Sequence, residues 1–220
     1  GIKFLVASVN PDTGYISRYG TRMYSHAFAS LCLAEVYGMT GRQKIRRPLE
    51  KAINLIVECQ NQQGGWRYEP IAMDADMSVT VCQVQALRAA RNVGIRVPKK
   101  HIDRAIDYIK RSSTYRGAFK YQLLPMSQSR VSFALTAAGV TALYGTGVYN
   151  DTKLEKGLEY LINPPRNDPH PPSNHYFYYY GHYYAIQAMY LAGGKYWSDW
   201  FPRIRDELIG NQAPDGSWED

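Results

Sequence analysis

Apolar residues recur along this chain in two alternating rhythms. Over 43–58, 99–112, 151–162 and 195–210 they fall three and four apart. The sets are Ile45, Leu49, Ile53, Ile56; Ile102, Ala105, Ile106, Ile109; Leu154, Leu158, Leu161; and Trp197, Phe201, Ile204, Leu208. That spacing places each set on one face of a helix, with charged residues on the other, so these read as outer helices. Over 23–37, 77–92, 129–144 and 176–192 the apolar and small residues are nearly continuous. No charge interrupts Met77 to Leu87 or Val131 to Tyr144. A helix that is apolar nearly all round is buried, and these read as inner helices.

Glycine marks each inner-to-outer turn, at Gly38 to Gly41, Gly94, Gly145 to Gly147 and Gly193-Gly194. It supplies the left-handed conformation that closes a helix C-terminus. Thr40 and Gln43 have the spacing of a capping box for the helix that follows. Pro48 is expected to delay or kink that same helix. The connection Asn163 to Asn174 carries five prolines and is expected to be irregular.

The outer-to-inner turns share a motif. Gln60 to Trp66 and Gln212 to Trp218 both read Q-x-x-x-G-x-W, built on Gln60, Gly64, Trp66 and Gln212, Gly216, Trp218. Degenerate copies stand at Asn10 to Tyr15 and at Gly117 to Phe119. The aromatic positions 15, 66, 119 and 218 are separated by 51, 53 and 99 residues, the last about two periods. A period near fifty residues signals a repeat architecture. The expected fold is all-α: a toroid or partial toroid of about four helical hairpins, forming a single domain over 1–220. The copy count falls short of a closed ring, which suggests a piece of a longer chain.

The Q-x-x-x-G-x-W turns resemble the QW motifs of squalene–hopene and oxidosqualene cyclases. Protein prenyltransferase β subunits share that α/α-toroid plan. The resemblance is specific at two turns and weaker at the others. It speaks more strongly to fold than to chemistry. A sharper local match follows the first turn, at Asp74-Ala75-Asp76-Met77-Ser78-Val79. In squalene–hopene cyclases an inner helix opens there with D-x-D-D-T-A, whose middle aspartate protonates an alkene. Carried over, the resemblance implies Asp76 as that acid and Asp74 as the first aspartate. Met77 stands in place of the third and Ser78 in place of the threonine. Losing the neighbouring carboxylate removes part of the cluster that tunes such an acid. The corresponding prenyltransferase D-x-C supplies zinc ligands. Asp76 replaces that cysteine, so no metal is expected, nor any cofactor. Capping accounts for both aspartates equally well, because carboxylates at a helix N-terminus accept its free N–H groups.

Other inner-helix starts add candidate ligand-binding residues: Arg22, Tyr24 and His26; Arg130; and His175, Tyr176, Tyr179 and His182. Aromatic faces stabilise cations, as a carbocation cascade requires. Packing between helices explains the same rings, and a lone histidine such as His26 is more often a hydrogen-bonded core residue. The implied function is a terpenoid-cyclase- or prenyltransferase-like protein holding an isoprenoid or related apolar ligand in an aromatic cavity. Two alternatives stay open. One is a non-catalytic α/α module that binds a ligand or a protein. The other is a carbohydrate-active α/α-toroid enzyme using His175 and Tyr179, for which no well-spaced carboxylate pair is evident.

Composition narrows this picture. A hydrophobic share of 45% with 20% charged residues supports a packed core rather than disorder. The net charge of +7 points toward nucleic acid or anionic lipid. Its basic residues, however, are interleaved with Asp and Glu through every repeat, as on solvated outer helices. No nucleic-acid partner is therefore expected, while peripheral membrane contact stays open. Cys32, Cys59 and Cys82 are odd in number and lack metal-type spacing, as suits a reducing, cytoplasmic setting.

Overall fold

A computed structural model describes residues 1–125, 128–164 and 177–219. The described residues are mostly helical and hold one two-residue strand pair. The chain divides into two compact units, Gly1–Arg111 and Ser112–Asp220, and the boundary falls at the end of the helix Lys99–Ser112.

The first unit contains α1 (Ile2–Ala7), α2 (Arg22–Thr40), α3 (Gln43–Glu58), α4 (Met77–Asn92) and α5 (Lys99–Ser112). The bounds of α3, α4 and α5 coincide with the expected ones. Helices α2 and α4 pack together, and α3 packs on both. Met23, Leu33, Ile53, Ile56, Val79 and Leu87 are fully buried among them. Two local expectations change. The Thr40 hydroxyl donates back to the Val36 carbonyl at 2.6 Å, and α3 begins without a side-chain cap, so there is no capping box. Pro48 also does not delay α3, which runs from Gln43 straight through it. The proline stands near the helix start, where its missing N–H forfeits only one bond.

The second unit contains β1 (Phe119–Lys120), β2 (Val131–Ser132), α6 (Phe133–Gly145), α7 (Thr152–Ile162), α8 (Tyr178–Ala192) and α9 (Gly194–Gly210). Helix α6 packs against α8 and α7, and α9 against α8. The expected helix start at 129 is replaced by strand. Phe119 pairs antiparallel with Ser132, and Lys120 with Val131. Ser132 is extended and accepts the Leu135 N–H at 3.1 Å, so α6 cannot begin before Phe133. Most of the proline-rich connection, residues 165–174, lies outside the described residues.

The motif turns share one hydrogen-bonded shape. Asn61 N–H donates to the Gly65 carbonyl at 3.0 Å, and Gly64 N–H returns to Asn61 at 3.1 Å. Ala213 with Ser217 and Thr114 with Ala118 repeat the first bond; Gly216 to Ala213 and Gly117 to Thr114 repeat the second. In both strong turns the glutamine amide donates to the following glycine's carbonyl: Gln60 to Gly64 at 2.9 Å, Gln212 to Gly216 at 2.8 Å. The indole N–H donates ten residues back, from Trp66 to Ile56 at 2.6 Å and from Trp218 to Leu208 at 2.8 Å.

Each early turn then seats a later amphipathic helix, α3, α5 or α7. Gly14, Gly64 and Gly117 have positive φ, and a Cβ there would collide with the backbone of Lys51, Arg104 and Lys156 respectively. Those basic residues clasp the turns: Lys51 donates to the Pro11 carbonyl, Arg104 to Asn61 and Lys156 to Tyr115. Gly216 has positive φ, but a Cβ there would meet no backbone.

Candidate functional site

The candidate acid sits where the first strong turn meets α4. Trp66 and Asp76 form an isolated antiparallel bridge, with Asp76 N–H donating to the Trp66 carbonyl at 3.0 Å. This bridge holds Asp76 extended, one residue before the helix. As N-cap, its Oδ1 accepts Val79 N–H at 2.9 Å and Ser78 Oγ–H at 2.6 Å. The side chain is fully buried. Its other oxygen, Oδ2, has no hydrogen-bond donor among the described residues and lies 3.9 Å from Arg67 Nε. Burial pushes the carboxyl above the usual carboxylate range, against the opposing pull of its hydrogen bonds and of Arg67.

Asp74 behaves differently. It is exposed and ion-paired with Arg67, which also lies over the Tyr68 ring at 5.4 Å. It makes no side-chain cap to α4; Asp76 alone does. Tyr24 reaches from α2 to this corner. Its hydroxyl is 2.7 Å from Ser78 Oγ, and its ring is 6.0 Å from that of Tyr68. Burial pushes the Tyr24 phenol strongly upward, so it stays protonated.

Tyr24 and Tyr68 also line a cavity of roughly 820 Å³ in the first unit. Its wall is mostly apolar, with Phe4 and Leu5 from α1 and Phe28 and Ala29 from α2. Arg18 stands over the Phe4 ring at 4.9 Å, and Arg22 is at the rim, paired with Glu69 at 3.0 Å. Asp76 is not among the lining residues, and neither is Asp74. A hydrogen-bonded path links the acid to the cavity through Ser78 and Tyr24.

The remaining candidates fall in both units. His26 is a core residue rather than a ligand contact. Its Nδ1 accepts the Ile16 N–H at 3.1 Å, and its Nε2 is 3.0 Å from the Ala52 carbonyl. Burial of the ring lowers its pKa to about 4, against the opposing pull of the Ala52 contact. In the second unit, Arg130 lies in the loop before β2 with its guanidinium 4.0 Å over the Tyr121 ring. Tyr179 stands edge-on to Tyr178 at 5.0 Å. His182 is packed among Phe133, Tyr178 and Trp200, at 5.2, 4.4 and 5.9 Å. The aromatic run of α8 thus stacks largely on itself and on α9. A separate small cavity of roughly 250 Å³ adjoins His182, Arg203 and Glu207. His175 and Tyr176 lie outside the described residues.

Ser78, Arg67 and Tyr68 join the site although sequence reasoning did not select them as site residues. Only the turn, which brings Arg67 beside Asp74 and Asp76, could reveal Arg67. Among the described residues, no three His, Cys, Asp or Glu side chains are grouped to hold a metal ion. No described helix is long and apolar enough to cross a membrane. No protein-family model and no curated protein matches this chain.

Proposed function

We propose that this chain is a terpenoid-cyclase-like helical module that binds an isoprenoid or related apolar ligand in the cavity of its first unit. The carrying observation is that cavity: roughly 820 Å³, walled by Phe4, Leu5, Tyr24, Phe28 and Tyr68. Its size suits a single small-molecule ligand, and its lining matches an apolar one. The repeated turn geometry and the clasping basic residues support a partial α/α toroid as the setting.

Binding is the stronger reading than catalysis. Asp76 does not reach the cavity wall, and Met77, in place of a carboxylate, is fully buried. A directly protonated alkene would need the acid in contact with it. The catalytic reading draws on one observation, the burial that favours the neutral, proton-bearing form of Asp76. An apolar wall gives a carbohydrate polymer few partners, so that alternative has less support. The three free cysteines suit a reducing, cytoplasmic compartment.

Calorimetric titration with farnesol tests the reading. Micromolar binding is expected for the native chain. Ala29→Phe, which fills the cavity from α2, should weaken it at least about tenfold while leaving the helical circular dichroism intact. Absence of binding by the native chain, or equal affinity in the variant, rejects the proposal.

A further inference from the structure

We infer that Tyr24 is the residue through which Asp76 acts on the contents of the first-unit cavity, by way of a directional hydrogen-bond chain through Ser78. The direction follows from proton counting. Ser78 Oγ carries one proton, and it is given to Asp76 Oδ1 at 2.6 Å. The 2.7 Å contact between Ser78 and Tyr24 must then be donated by the tyrosine. The chain runs Tyr24 O–H to Ser78 O–H to Asp76 Oδ1, and its far end is a cavity-wall residue.

Asp76 Oδ1 already accepts two donors, whereas Oδ2 accepts none among the described residues. A proton taken up by the carboxyl therefore goes to Oδ2. That leaves the chain's direction unchanged but makes Oδ1 a weaker acceptor. Each bond in such a chain polarises the next, so the Tyr24–Ser78 bond weakens with it. Ionised Asp76 ties the tyrosine tightly; neutral Asp76 loosens it and frees its hydroxyl for a ligand.

The charged and titratable groups around this carboxyl are Arg67 on the turn, with its partner Asp74; Tyr24 from α2, with Tyr68 beside it; and Cys82 within α4. Helix α3, which also packs on α4, contributes none of the groups that shift Asp76. Burial holds the Tyr24 phenol and the Cys82 thiol above their usual ranges. The ligand consequence rests on the cavity reading above; the coupling does not.

Carbon-13 NMR of protein labelled at tyrosine Cζ and aspartate Cγ is the test, with Tyr24 assigned by loss of its signal in Tyr24→Phe. The Tyr24 resonance should show a single step with the same midpoint as the Asp76 carboxyl carbon. Ser78→Ala should abolish the tyrosine step while Asp76 still titrates, and Ser78→Thr, which keeps a hydroxyl, should restore it. A flat Tyr24 resonance while Asp76 titrates, or a step that survives in Ser78→Ala, overturns the inference. Failure of farnesol to bind would reject the ligand reading and leave this coupling standing.

Discussion

His26 and Asp76 are buried ionisable side chains with opposite effects on stability as pH changes. The folded chain holds His26 neutral, with its pKa lowered from 6.5 to about 4. Between those values the unfolded chain binds more protons, so stability rises with pH and the contribution is complete above 6.5. The shift corresponds to about 3 kcal/mol. Urea unfolding of the native chain should therefore show a loss approaching that size between pH 7 and pH 4. His26→Gln should be less stable at pH 7 but flatter across that interval; an equal slope in both proteins would remove His26 as the cause. Asp76 works the other way. Its raised pKa means the unfolded chain ionises first as pH climbs above 3.8, and stability falls until the folded carboxyl also ionises. Asp76→Asn should lack this decline, which the same unfolding series measures.

At the scale of the element, the two strong turns are a matched pair in different surroundings. Both make the same glutamine and indole hydrogen bonds, yet Trp66 is 1% exposed and Trp218 is 46% exposed. Truncating Trp66 to alanine should cost about 3–5 kcal/mol. Truncating Trp218 should cost about 1 kcal/mol, mainly its hydrogen bond. The glycines offer an independent comparison. Gly64→Ala would meet both the left-handed backbone and the Arg104 carbonyl, whereas Gly216→Ala would meet the backbone strain alone. The second should cost roughly 1–2 kcal/mol and the first clearly more. Thermal melts of the four variants provide the check, and equal losses within either pair would show that the helix seated on the first turn contributes nothing.

For the molecule as a whole, the net charge of +7 is unchanged by folding, but several of its basic residues are engaged within the chain. Lys51, Arg104, Lys156 and Arg111 each donate to a turn carbonyl, and Arg46, Lys99 and Arg111 form ion pairs one helical turn apart. Cations placed for helix clasps are spread along the chain, whereas a nucleic-acid footprint concentrates them on one face. Fluorescence anisotropy with a labelled DNA duplex is expected to show no binding at physiological salt. Salt-dependent binding at micromolar protein would show instead that basic residues form a phosphate-binding surface.

The sequence by itself determined α2 to α9 and the motif turns, but not α1. Apolar spacing is a local property, so α3, α4 and α5 could be read to the residue. The Gln, Gly and Trp of the motif bond within one short stretch of chain, so their recurrence was visible as well. The same locality explains the errors. Whether 129–132 would be helix depended on a strand partner at 119–120, and apolar residues alone do not distinguish the two. The candidate site was only half legible. Asp76 as an N-cap could be anticipated from its place before α4. Its separation from the cavity could not, because that depends on Tyr24 reaching across from a helix some fifty residues away in the chain. His26 likewise became a core residue only when Ile16 and Ala52 supplied backbone partners to both its nitrogens. Hydrogen bonds between distant segments decide which polar side chains are satisfied and which face a cavity, and only the tertiary structure sets those distances.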